Sequence, residues 1–136
     1  MQRQAVYTLL LVGILTACDS DNPRRRPEDT VKVFQEALVN CNFELGWEMM
    51  TPELRFDEFD SSQRFQLWCM NQREAVKAVG RAVLKEMRQV DALEYRAILY
   101  YAPSHDYTVI VVVKNPETKL WSVKDFRSNL PRHMAF

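Results

Sequence analysis

Around Gly80 the hydrophobic period of this chain changes from that of helices to that of strands, and the switch restricts the fold to helices first and a sheet after. Upstream, Val31, Phe34, Ala37, Leu38 and Cys41 recur three and four residues apart, which places one apolar stripe on a first helix. Pro27 suits the first helical position, and Glu28 and Asp29 stand near the positive end of the helix dipole. Lys32, Gln35, Glu36 and Asn40 are expected mostly to face water. Phe43, Trp47 and Met50 share one side of a shorter second helix, which Thr51-Pro52 interrupts because a residue before proline avoids the helical region. Residues 53–59 read as a linker or a further turn. Ser61 or Ser62 caps a longer third helix, with Phe65, Trp68, Cys69, Gln72, Val76 and Val79 on its inner stripe. Cys41 and Cys69 are therefore both expected to point inward.

Downstream of Gly80, residues 82–90 fit either an extension of the third helix or a first strand. Residues 93–101 are rich in tyrosine and branched side chains and read as a strand, followed by a turn at Ala102-Pro103-Ser104-His105-Asp106. Val109-Ile110-Val111-Val112-Val113 suits a strand covered on both faces. Asn115-Pro116-Glu117-Thr118 turns the chain into a last strand carrying Leu120, Trp121, Val123 and Phe126. From Arg127 the tail is polar and expected to be loose. The order is α+β, without internal repeats or low-complexity segments.

The chain begins with Arg3 in a short polar start and an apolar run of 13 residues, Ala5 to Ala17. That is signal-peptide anatomy, and the run is shorter than the roughly 20 residues a membrane-spanning helix needs. Leu15-Thr16-Ala17-Cys18 resembles the lipobox of bacterial lipoproteins. The resemblance implies a signal peptide at 1–17, acylation of Cys18 on its sulfur and its new amino group, a lipidated tether at 18–26 and a single domain at 27–136. Asp19 resembles the enterobacterial signal for retention in the inner membrane, so the expected place is the periplasmic face of that membrane, with the outer membrane as the alternative. Acyl chains contribute about 0.8 kcal/mol per buried CH₂, so two or three of them anchor a protein durably. Arg24, Arg25 and Arg26 follow, either as cations attracted to an anionic leaflet or as an ordinary solvated linker. A tether of nine residues reaches at most about 30 Å, which keeps the domain near the bilayer.

Without residues 1–17 the chain holds 17 Lys and Arg against 18 Asp and Glu, so nothing in its charge suggests nucleic acid as a partner. Glycine is scarce and apolar residues abundant, as in a compact domain. In an oxidising compartment Cys41 and Cys69 are candidates for one disulfide, worth roughly 3 to 4 kcal/mol by loop closure, or else two buried thiols. Two thiols and two distant histidines make zinc a poor fit, and no cofactor is expected.

The order of elements resembles the nuclear-transport-factor-2-like superfamily of cystatin-like α+β cones. The residues that carry the likeness are Val31 to Leu38, Phe43 to Met50, Val109-Ile110-Val111-Val112-Val113 and Lys119-Leu120-Trp121-Ser122-Val123. A tryptophan in the last strand after a short hairpin is similar to small envelope lipoproteins of that superfamily. The resemblance implies N-terminal helices packed in a curved antiparallel sheet, often with a pocket at the open end of the cone. Members include isomerases and dehydratases as well as binding modules, so the fold alone does not choose an activity.

An acid–base site would need a carboxylate in an apolar pocket. Glu94 and Asp125 are the strand carboxylates available, and neither lies within an apolar run. His105 beside Asp106 has no Ser or Cys nucleophile near it in sequence, and His133 lies in the tail. Tyr95, Tyr101, Tyr107 and Trp121 are the candidate contact or pocket aromatics, with packing in the core as the competing role. The expected function is a membrane-anchored binding or accessory module of an envelope assembly, held to the membrane by the lipid on Cys18 and partnered by an envelope protein. The alternative is a small-molecule site or a simple acid–base enzyme in the cone.

Overall fold

The computed structural model describes residues 22–127. A 3-10 turn at Pro23–Arg25 leads into helices α1 (Pro27–Val39) and α2 (Phe43–Glu48), a π-helical turn at Leu54–Phe59, and helices α3 (Ser62–Asn71) and α4 (Arg73–Gly80). Strands β1 (Val83–Asp91), β2 (Glu94–Tyr101), β3 (Asp106–Lys114) and β4 (Trp121–Arg127) follow, with a 3-10 turn at Ala102–Ser104 between β2 and β3. The four strands form one antiparallel sheet in the order β1-β2-β3-β4, so the class is α+β. Among the described residues, no helix is long and apolar enough to cross a membrane.

The apolar stripe of α1 buries Val31, Phe34, Ala37 and Leu38. These meet Phe65 and Val79 from the later helices and Leu99, Ile110, Val112 and Val123 from the sheet in one continuous core. A side chain such as Phe34 or Phe65, fully buried, contributes roughly 1.5–3 kcal/mol by leaving water. Gln35 departs from the expectation of a water-facing position. Its buried amide donates to the carbonyls of Val79 and Ala82, both at 2.9 Å, and so fixes α1 to the corner between α4 and β1. Gly80 permits that approach, because a Cβ there would stand 2.7 Å from Val39 Cγ2.

The expected third helix is two. Gln72 leaves the helical region (φ −110°, ψ 50°); its N–H donates to Trp68 O while its own carbonyl accepts from Val76 N–H. Gln72 is consequently exposed, although Val76 and Val79 beyond it are buried as their spacing predicts. Of residues 82–90, open between helix and strand, all but Ala82 belong to β1. β3 is an inner strand, but cover on its two faces is unequal. Ile110 and Val112 join the main core, Val109 packs with Ile98 in a small cluster on the opposite face, and Val111 and Val113 are only partly covered.

The two sheet edges differ. On β4, Val123 donates to Met49 O (2.7 Å) and accepts from Thr51 N–H (2.9 Å), a short parallel bridge that covers the edge. On β1 the register slips twice, between Leu84 and Glu86 and between Gln89 and Asp91, and Val83, Leu84 and Val90 are exposed. Such bulges and the charges of Lys85, Glu86 and Arg88 make an open edge a poor template for further strands.

Candidate functional site

Strand alternation separates the aromatics expected to act together. Tyr95 and Trp121 meet edge to face at 5.4 Å, and Tyr101 packs against the main core. Tyr107 lies opposite Tyr100 in the β2–β3 register, their rings 5.1 Å apart on the other face. None of these four lines either of the two clefts described below. His105 occupies the left-handed region (φ 56°) at the exposed β2–β3 turn, and its Nδ1 is 2.8 Å from the Tyr100 hydroxyl. Glu94 is ion-paired with Lys124 (3.2 Å) and Arg96 (4.0 Å) rather than set in a pocket. Cys18, Asp19 and His133 lie outside the described residues.

Asn22–Arg26, expected as tether, is folded onto the sheet edge. Asn22 caps the 3-10 turn through its side chain, and Arg24 donates from Nε to Trp121 O (3.1 Å) and from Nη2 to Ser122 Oγ (2.8 Å). Burial lowers the Arg24 pKa below the usual arginine value, the nearby Arg55 lowers it further, and Glu48 opposes both. Arg24 is thus committed to β4 rather than offered to a lipid surface, while Arg25 and Arg26 are exposed.

The segment read as linker or turn builds the first cleft. Pro52 follows Thr51, whose Oγ1 accepts from Leu54 N–H (3.3 Å), and the chain enters a wide turn closed by Asp60 N–H to Arg55 O at 2.9 Å. Widened turns of this kind recur at functional sites because they redirect side chains from the regular helical positions. Arg55 reaches back to the carbonyls of Trp47 (2.9 Å) and Glu48 (2.8 Å), where α2 ends. Asp60 takes a positive φ of 73°, and Ser61 then caps α3 by accepting from Arg64 N–H at 3.2 Å. Phe59 is turned inward. Its ring meets Phe65 at 5.0 Å and Trp68 at 5.6 Å and stacks on Phe126 at 6.2 Å.

Phe59, Trp68 and Phe126 form the floor of a cleft of about 570 Å³ between this turn, α3 and the end of β4. Among the described residues its lining carries Asp57, Glu58, Asp60 and Asp125 against one cation, Arg64, which sits 3.9 Å from Asp60 in an exposed pair. Electron-rich ring faces and an excess of acidic side chains favour the same occupant, a cation with some apolar body. Among the described residues, no group of three or more His, Cys, Asp or Glu is placed to hold a metal ion. Rings beside carboxylates suit an extended amine or guanidinium, whose apolar body can lie against them. Asp125 is the cleft carboxylate weighed from the sequence, and Trp68 is placed there on the inner stripe of a helix. Phe59 and its acidic neighbours were not weighed, although the run Phe56-Asp57-Glu58-Phe59-Asp60, dense in both residue types, is the signal that marks them.

Cys41 and Cys69 are free thiols in the structure. Cys69 is buried, and burial, followed by the proximity of Cys41, pushes its thiol up to about 12. Cys41, expected to point inward, is exposed. It lies beyond the end of α1 in the left-handed region (φ 57°), and this reversal takes its side chain off the helical stripe. The two nonetheless line one second cleft, between the end of α1 and the α3–α4 corner. Compared with family models, curated proteins and solved structures, the chain matches none.

Proposed function

We propose that this chain is a lipoprotein held at the periplasmic face of the inner membrane by acylated Cys18, with Asp19 as retention signal, and that its domain is a binding or accessory module of an envelope assembly. In this reading the α+β domain is a nuclear-transport-factor-2-like, cystatin-like cone, and its acid-rimmed aromatic cleft receives a basic segment of an envelope partner. The observation that carries the binding role is the cleft itself, with Phe59, Trp68 and Phe126 below Asp57, Glu58, Asp60 and Asp125. The folded Asn22–Arg26 segment supports work close to the bilayer, because it leaves only residues 18–21 between the lipid and the domain.

Two experiments test it. Replacing Cys18 by Ser should release the protein from membrane fractions, and full retention would mean that lipid on Cys18 is not the anchor. A photo-reactive phenylalanine analogue at Phe56, exposed and next in sequence to the rim residue Asp57, should capture one abundant envelope protein through a Lys- or Arg-rich peptide. Capture of nothing, by a folded protein, would contradict a protein partner there.

A second reading rests on the volume of the cleft, about 570 Å³, which falls in the range of small-molecule sites. A small organic cation, or a simple acid–base reaction using Asp125 as base, would fit the same residues. A thermal shift with a small amine, together with failed protein capture, would favour this alternative.

A further inference from the structure

The second cleft has the opposite chemistry. It measures about 520 Å³, and Leu38, Val39, Phe43, Met70 and Val76 make its walls largely aliphatic, with Cys41 and Cys69 adding polarizable sulfur. Arg73, Lys77 and Arg81 stand along its rim at intervals of four residues, on one side of α4 and its C-terminal end, and all three are exposed. Among the described residues, no acidic side chain lines this cleft. Lys77 pairs with Glu74 at 3.7 Å, an exposed contact that contributes little.

We infer that this groove binds the single acyl chain of an anionic amphiphile, a fatty acid, with the chain against Leu38, Val39, Met70 and Val76 and the carboxylate at Arg73, Lys77 and Arg81. Charge complementarity selects the head group, since a cationic or zwitterionic amphiphile gains less from three cations at the rim than an anionic one does. An acyl chain also suits the walls better than a peptide does. A buried peptide brings N–H and C=O groups that need partners, and Gln66 is the one neutral polar side chain among the lining residues. The exposed sulfur of Cys41 and the buried sulfur of Cys69 share this groove, so an occupant covers the first from solvent. The inference is independent of the basic partner proposed for the acidic cleft.

The test uses the full-length protein, in whichever cell fraction holds it, with hexadecanoate bearing a chain diazirine and an alkyne as probe. After irradiation and digestion, label is expected on peptides containing Leu38–Phe43 and Gln66–Val76. It should be competed by plain hexadecanoate and much less by hexadecanol, which has the chain without the charge. The exposed triple change Arg73→Glu, Lys77→Glu, Arg81→Glu should lower groove labelling roughly tenfold, the loss of about one charge-assisted contact. Circular dichroism should show the same helix content and melting temperature, which separates lost binding from lost folding. A Met70→Ala variant, altering a half-exposed wall residue, should weaken labelling while the hexadecanol contrast persists. Label confined to other peptides, equal competition by hexadecanol, or a folded triple variant labelled as before would overturn the assignment.

Discussion

Two clefts of nearly equal size, about 570 and 520 Å³, share no lining residue and carry opposite charge. One has an aromatic floor and an acidic rim; the other has aliphatic walls and a basic rim. The same near-neutral chain makes both, so net charge says little about what a small domain binds, and the local sorting of charge says much more. The segments that build them differ too. The acidic cleft is built on a widened turn, a positive φ at Asp60 and the β3–β4 register shift between Val111 and Val112, whereas the basic groove lies among the ends of α1, α3 and α4 with one left-handed residue, Cys41.

Phe65 joins the two regions. Its ring meets Phe59 at 5.0 Å beneath the acidic cleft and Phe43 at 6.3 Å beside the basic groove. Phe65→Ala should therefore damage both sites and cost about 3–5 kcal/mol, read from urea unfolding. A loss below about 1 kcal/mol would show that the clefts do not share this support.

Gly80→Ala should act on the groove side alone, since the added Cβ meets Val39 Cγ2 at 2.7 Å and Gln35 O at 3.3 Å. The expected cost is about 1–3 kcal/mol in thermal or urea unfolding, as for other overpacked contacts. Capture of a partner from Phe56 should be unchanged in the folded fraction. Ser61→Ala is the counterpart on the acidic side. It removes the acceptor for Arg64 N–H and should cost about 1 kcal/mol, with weakened capture at the acidic cleft and intact acyl labelling of the groove.

The sulfurs sharpen the contrast through pH. The Cys69 pKa is raised in the folded protein, so its contribution to stability is fully present below the ordinary thiol value of 9.0 and is lost as pH rises toward about 12. Urea midpoints compared at pH 8 and pH 10.5 should fall more in the wild type than in Cys69→Ala. At pH 8 iodoacetamide should modify exposed Cys41 and leave buried Cys69 intact in the reduced, folded protein. Rapid modification of both would contradict the burial of Cys69.

A small effect on stability, within about 2 kcal/mol in sum, is expected from Asp57→Lys with Asp60→Lys, both exposed, the second also losing its pair with Arg64 at a positive φ. Their effect on binding should be large, and in that respect they divide folding from function.

Much of the fold was legible because its signals are local. The stripe of Val31, Phe34, Ala37 and Leu38 and the strand run from Val109 to Val113 each reveal their element through spacing alone. Residues 82–90 were ambiguous because β1 is an open edge whose exposed and charged positions hide the strand period. The break at Gln72 has neither Gly nor Pro to mark it. Gln35 looked solvent-facing because its buried partners, Val79 O and Ala82 O, are backbone groups more than forty residues away. Cys41 was misplaced by extending the helical stripe past the residue where the backbone turns left-handed. The acidic cleft was the hardest part to anticipate, since Asp125 and Phe126 arrive from β4 and meet Phe59 only through tertiary packing.

The measurement that tests the central claim most directly is in-cell capture from the photo-reactive analogue at Phe56, with and without Asp57→Lys and Asp60→Lys, and with the analogue at exposed Val90 on β1 as control. A cleft that receives a basic partner predicts one captured envelope protein from position 56, a fall of at least about tenfold on charge reversal, and no equivalent product from position 90. Capture that survives charge reversal, or that is equal from both positions, would contradict it.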